Sequence, residues 1–121
     1  VKRKGRYGNV QKIEYAGIKF DSRREYDRYM DLRLMEMAGE VKDIEVHPRF
    51  PIVIAGIPIK MRSARYPNGR TLTYVADFRY LDVKSEETII EDVKMQSGHR
   101  TDVYRIKRAL MEAMGYRIKE Y

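Results

Sequence analysis

Two short segments, Tyr74-Val75-Ala76-Asp77-Phe78 and Ile89-Ile90-Glu91-Asp92-Val93-Lys94, restrict the fold of this chain more than any other stretch. Both are rich in β-branched and aromatic residues and bounded by polar turn material, the pattern of adjacent antiparallel strands. Lys84-Ser85-Glu86-Glu87 joins them, and a hairpin turning near Ser85 sets Asp77 opposite Asp92 or an immediate neighbour. Directly opposed side chains have Cβ atoms roughly 4.5–5.5 Å apart, so two carboxylates converge. Alternation along the strand puts Lys94 on the face of Asp92. A slip of one residue would exchange Asp92 with Glu91.

Two like charges held together need a raised pKa or a bound cation. Magnesium, with manganese as an alternative, binds through one or two carboxylates, keeps several waters and takes phosphate oxygens as further ligands. Asp77 and Asp92 fit that role, and Lys94 fits the task of orienting or activating water, a constellation suited to phosphodiester hydrolysis. Asp82-Val83-Lys84 repeats the spelling of 92–94, but it stands at a strand end just before Ser85-Glu86-Glu87, where the chain turns into solvent. The copy at 92–94 is therefore the one expected to work.

Upstream, Ser22 reads as the N-cap of a helix running to about Ala38, with Gly39 at the C′ position. Tyr26, Met30, Leu34 and Met37 form its expected apolar stripe, while Tyr29 and Leu32 continue a second row that starts at Glu25. Ser22-x-x-Glu25 has capping-box spacing, so two roles stand open for Glu25: a helix cap, or part of the site. Asp21 and Asp27 read as local charges.

An acidic residue at one strand, acid-x-Lys on the next, and a Glu from an upstream helix together resemble the PD-(D/E)XK nuclease superfamily, here through Asp77, Asp92-Val93-Lys94 and Glu25. The whole chain, from Gly17-Ile18-Lys19-Phe20-Asp21-Ser22 through Pro48-Arg49-Phe50 to Tyr104-Arg105-Ile106-Lys107-Arg108, is similar to a small phage-associated endonuclease group of that superfamily. Ala76 stands where the superfamily name has proline, and Asp92 where Glu is common; the name permits both residue types at the second position. The resemblance implies an α/β fold with a mixed central sheet flanked by two main helices and a restriction-endonuclease-like core. It implies a Mg2+-dependent endodeoxyribonuclease with Glu25, Asp77, Asp92 and Lys94 as catalytic residues, a homodimer, and branched or junction DNA as a target.

Charge points the same way. Lys and Arg total 25 against 18 Asp and Glu, a net charge of +7, which favours a polyanionic partner through phosphate neutralisation. Val1 to Asn9 reads as a flexible basic arm, and Gln11–Tyr15 with Ile18–Phe20 as a hairpin. Lys60, Arg62, Arg65 and Arg70 surround Tyr66 in a basic loop that could straddle a nucleic-acid backbone. Gln96 and Arg100 in the next polar loop join them as DNA-contact candidates, beside His99 as a plain surface group. A second helix is expected from about Thr101 to Met114, packing through Val103, Ile106, Leu110 and Ala113, with Tyr116-Arg117-Ile118 as a last strand. Lys107 borders that seam, free either to reach a phosphate or to snorkel to solvent. His47, with no partner legible nearby, is expected to be structural or on the surface.

At 121 residues the chain is expected to form one domain. Cysteine is absent, which excludes disulfides and thiolate metal sites. No run of about 18 apolar residues and no signal-peptide pattern is present, so a cytoplasmic protein that avoids the membrane is expected. A noncatalytic basic DNA-binding module is the alternative function, and an RNA-directed relative a third.

Overall fold

A computed structural model describes residues 12–94, 98 and 100–121. The basic arm at 1–9, Gln11, Gln96 and His99 therefore lie outside the described residues. The chain opens with a hairpin of β1 (Ile13–Tyr15) and β2 (Ile18–Phe20) turning at Ala16-Gly17, both with positive φ, as the mirror-image turn of a tight hairpin requires. Helix α1 (Arg23–Met37) follows, capped by Ser22 and ended by Gly39 at φ +78°. Next come β3 (Val41–Val46) and a long ribbon of β4 (Arg49–Pro51), β5 (Val53–Ile54), β6 (Ile57–Pro58), β7 (Lys60–Met61), β8 (Arg70–Thr71) and β9 (Thr73–Val75). The chain closes with β10 (Phe78–Asp82), β11 (Glu87–Asp92), α2 (Asp102–Ala113) and β12 (Ile118–Glu120).

The architecture is mixed α/β. Its central sheet has the order β12-β11-β10-β3, antiparallel except for the β11–β12 pair, which runs parallel because α2 carries the chain across. Alternation along β10 and β11 makes two cores. Phe78 and Tyr80 pack with Phe20, Tyr29, Leu32 and Val41 beneath α1, while Ile90 packs with Ile118, Met111, Phe50, Ile52 and Tyr74 beneath α2. In the ribbon, β4 pairs with β9 and carries two smaller hairpins, β5–β6 and β7–β8. Pro51 sits where its missing N–H does least harm.

The β10–β11 hairpin turns where expected, with the Ser85 N–H donating to Asp82 Oδ2 at 2.9 Å. Asp82, the first acid of the repeated spelling, is thus a turn cap. Tyr74 and Val75, however, do not continue into β10. They belong to β9, and the chain bends at Asp77 before Phe78 takes up the register with Glu91.

Each helix keeps part of its expected packing. In α1 the second expected row, Glu25, Tyr29 and Leu32, is buried together with Arg28, and Tyr26 and Met30 of the first stripe pack on the core, while Leu34 and Met37 are exposed. The buried row includes two charged residues because buried polar partners on the sheet meet them there. In α2, Val103 and Ile106 are exposed, and the inward row runs through Tyr104 to Met111 and Met114. Among the described residues, no helix is long and apolar enough to cross a membrane.

Candidate functional site

The ends of β3 and β11 and the start of β10 lie at one end of the central sheet, because β10 runs antiparallel to both neighbours. That end gathers His47, Asp92 and Asp77, and the first turn of α1 adds Glu25. Asp77 and Asp92 are laced together: the Asp77 N–H donates to Asp92 Oδ1 at 3.1 Å, and Asp77 Oδ2 accepts from the Val93 N–H at 2.7 Å. One oxygen of each carboxylate is thereby fixed. Asp92 Oδ2 is buried without a hydrogen-bond partner among the described residues. Burial pushes both carboxyls above their ordinary range, against the pull of the backbone N–H groups and of Lys94.

Of the two roles left open for the Glu25 side chain, the structure places it in the site, and the helix is capped by Ser22 alone. The Glu25 backbone N–H is capped by Ser22 Oγ at 3.1 Å, while its carboxylate turns into the site, with Oε1 2.6 Å from His47 Nε2. Burial and the Asp77 charge push this carboxyl up to about 7, against the stabilising hydrogen bond from His47.

No partner for His47 was legible in the sequence, and the structure gives it Glu25 as a direct partner. Its φ of +55° is uncommon for a residue with a Cβ and costs about 1–3 kcal/mol. The His47 N–H, donating to the Asp77 carbonyl at 2.9 Å, holds the strained backbone in place. Asp21, expected to be a local charge, completes a group: ligand atoms of Asp21, Glu25 and His47 all lie within 4.8 Å of one another. No local spacing reveals that trio; the only hint in the sequence is a histidine just before proline at a strand end.

Lys94 extends the strand beyond β11, its N–H donating to the Tyr121 carbonyl at 3.0 Å. Its ammonium lies 4.0 Å from the centre of the Tyr104 ring, and its charge lowers the pKa of both Asp77 and Asp92. The Tyr104 hydroxyl donates to Glu120 Oε2 at 2.8 Å, and Glu120 also accepts from Arg100 and Arg108. This network holds the ring beneath Lys94. The four residues expected to act together, Glu25, Asp77, Asp92 and Lys94, therefore share one neighbourhood.

The family model described as protein of unknown function (DUF1064) matches residues 4–120. The chain belongs to the DUF1064 family. No curated protein and no solved structure matches it.

The expected DNA-contact residues of this DUF1064 chain divide into groups. Arg62, Arg70 and Lys107 line one cleft together with Arg49, which the sequence did not single out. Lys60 and Arg65 lie outside its lining, with Arg65 5.7 Å from the Tyr66 ring centre. Arg100 lies apart from that cleft, with Glu120 at 3.1 Å and the Gly98 carbonyl engaging its guanidinium.

The raised carboxyls give the DUF1064 chain a definite pH response. Metal-free protein is expected to be more stable near pH 4.5 than near 7 as far as Glu25 is concerned. In that window the unfolded chain loses the Glu25 proton at its ordinary value of 4.5, whereas the folded chain keeps it to about 7. The unfolded state then binds fewer protons, so stability falls as pH rises. Asp77 and Asp92, raised from 3.8, act with the same sign. Thermal melts in chelator should show Glu25→Gln losing less stability than wild type across this window. Parallel melting curves for the two proteins would contradict the placement of Glu25.

Proposed function

We propose that this DUF1064 protein is a metal-dependent DNA endonuclease of the PD-(D/E)XK type, hydrolysing phosphodiester bonds. The observation that carries the proposal is the laced Asp77–Asp92 pair with its buried, unpartnered Asp92 Oδ2 and Lys94 alongside. Support for the restriction-endonuclease-like core comes from the order α1, β3, β10, β11, α2, β12 around one mixed sheet, with the carboxylates at the end where three of its strands meet.

The donor set suits a hard divalent cation. Oxygens dominate, each of Asp77 and Asp92 has one oxygen fixed by a backbone N–H, and the ionised forms are disfavoured by burial until a cation compensates them. Asp77 and Asp92 would hold the ion, with Glu25 completing its surroundings. Mg2+ or Mn2+ bound there would act as a Lewis acid toward the phosphodiester and make water more acidic. The His47 imidazole beside Glu25 adds a nitrogen donor that Mn2+ tolerates better than Mg2+.

The chain's own residues supply positioning and charge. Lys94, seated over Tyr104, orients the attacking water and offsets charge on the phosphate. Tyr104 acts through Lys94 and is a positioning residue. Glu25 orders His47 and Asp77 and keeps a proton on the inner side of the cluster when no cation is present. Water adds to phosphorus, one P–O ester bond breaks, and the strand is left with a phosphate end and a hydroxyl end.

Branched or four-way DNA is the proposed target, in the cytoplasm of a bacterial host for a phage-encoded protein, with a homodimer cutting both strands. Linear, nicked and four-way duplexes incubated with Mg2+, Mn2+ or chelator test this. Divalent-dependent cleavage is expected, strongest on the four-way substrate. DNA binding with no cleavage under any ion would favour the noncatalytic module.

A further inference from the structure

We infer that the cleft between the ribbon and α2 is a metal-independent clamp for a nucleic-acid phosphate backbone, set beside the carboxylate site. The inference takes the identity of its ligand from the function proposed above, and its geometry from the cleft alone. A cavity of about 530 Å3 is lined by Arg49, Arg62, Tyr66, Arg70 and Lys107, with no carboxylate in its wall. Its volume falls in the range of built ligand sites.

What sets the cleft apart is the gathering of cations with no acid in the wall. Several arginines elsewhere pair with acids, Arg23 with Asp27, Arg28 with Glu91, Arg33 with Glu36, Arg79 with Glu45, and Arg108 with Glu112 and Glu120, while Arg24, Arg65, Arg105 and Arg117 outside the cleft do not, among the described residues. Among the described residues, Arg49, Arg62, Arg70 and Lys107 take part in no ion pair. Four cations gathered from β4, the β7–β8 loop, β8 and α2 repel one another unless an anion enters.

Local structure orders these groups. Arg49 stands directly across from Val75 in the β4–β9 register, so both side chains project to the same face. Arg70 lies 5.3 Å from the centre of the Tyr66 ring, which restrains its guanidinium while leaving the ring partly exposed. Gly69, at φ +92°, permits the turn into β8, and a Cβ there would lie 2.8 Å from Lys60 Cβ.

Position names the ligand. Val75 lines the cleft and lies two residues before Asp77, where the chain bends into β10. Lys107 lines the opposite wall, one helical turn beyond the Tyr104 that supports Lys94. A polyanion that reaches the carboxylates therefore continues into the cleft. Several separated cations, guanidiniums suited to bidentate phosphate contacts and an exposed aromatic match a phosphodiester chain better than an acidic peptide.

Fluorescence anisotropy of a labelled duplex in chelator, titrated with salt, tests the clamp. For Arg62→Gln/Arg70→Gln, affinity should fall about tenfold or more and the slope of log K against log salt should shrink by about 2, near 0.9 for each lost phosphate contact. Adding Lys107→Gln should remove about one more contact. The equal-charge control Arg33→Gln/Lys84→Gln, on surfaces away from the cleft, should bind like wild type, and circular dichroism melts should agree for all variants. An unchanged slope in the first variant, or the same loss in the control, overturns the clamp. So does polyglutamate displacing the duplex as well as unlabelled DNA does. If wild type cleaves DNA while the slope stays unchanged, the clamp fails and the nuclease stands. If the slope shrinks while no divalent ion supports cleavage, the clamp stands and the nuclease fails.

Discussion

Asp92→Asn is expected to lower DNA cleavage by about 10³-fold or more while the protein melts at the same temperature as wild type or higher. Asparagine keeps the shape of the side chain and the oxygen that accepts from the Asp77 N–H. It removes the charge that burial disfavours, since the folded environment raises the Asp92 pKa and so favours the neutral form. Loss of activity without loss of stability is the signature of a group that function retains against the interest of the fold. Lys94→Ala should give a similar loss of cleavage, because the ammonium over Tyr104 is the cation whose charge favours the ionised form of both carboxylates. Single-turnover cleavage at saturating DNA, read beside thermal melts, measures both halves. Cleavage within about tenfold of wild type in either variant would remove these residues from the chemistry.

The largest effect on stability should come from the opposite face of β11. Glu91 is fully buried, and Arg28 donates to both of its oxygens, at 2.7 and 2.9 Å, while the Tyr80 hydroxyl donates at 2.7 Å. The Arg28 guanidinium also lies 3.8 Å from the centre of the Tyr121 ring. Burial draws the Arg28 pKa down, but its bonds to Glu91 outweigh that and leave it raised. Arg28→Ala strands an ionised carboxylate in the interior, at a cost of about 3–5 kcal/mol, or a fall in Tm on the order of 10–20 °C. Arg28→Met combined with Glu91→Leu should recover most of that loss, because it removes both charges together. Urea denaturation of the single and double variants measures the difference. A loss below about 1 kcal/mol for Arg28→Ala would show that the pair does little for the fold.

This ion pair also bears on function. Glu91 and Asp92 are adjacent acids on one strand, and a slip of one residue would exchange their faces. Arg28 holds Glu91 beneath α1, which leaves Asp92 turned to the side where Asp77 and Lys94 meet. The residue that fixes the register stands on the helix that also delivers Glu25.

The helix ends were legible in the chain. Ser22, Gly39, Thr101 and Gly115 mark the ends of both helices, because capping hydroxyls and positive-φ glycines act within a few residues. The β10–β11 register followed from a short turn near Ser85, although the first strand of that hairpin is Phe78–Asp82 rather than 74–78, and the last strand is Ile118–Glu120 rather than 116–118. That register was enough to set Asp77 beside Asp92 and to bring Lys94 near both. The buried rows of the helices were legible in part. The row Glu25, Tyr29 and Leu32 in α1 and Leu110 in α2 face inward as their periodicity indicated, whereas Leu34, Met37, Val103 and Ile106 are exposed and polar partners draw Arg28 and Tyr104 inward.

Sequence alone therefore determined where the helices begin and end and which acids approach each other across one hairpin, since those outcomes depend on interactions between near neighbours. Tertiary structure alone decided that His47 and Asp21 join Glu25, that Arg49 joins Arg62, Arg70 and Lys107, and that Arg100 is held by Glu120. Each of those groupings joins residues from separate elements whose approach is set by packing of the whole sheet, helices and ribbon, a distance relation that no spacing along the chain encodes.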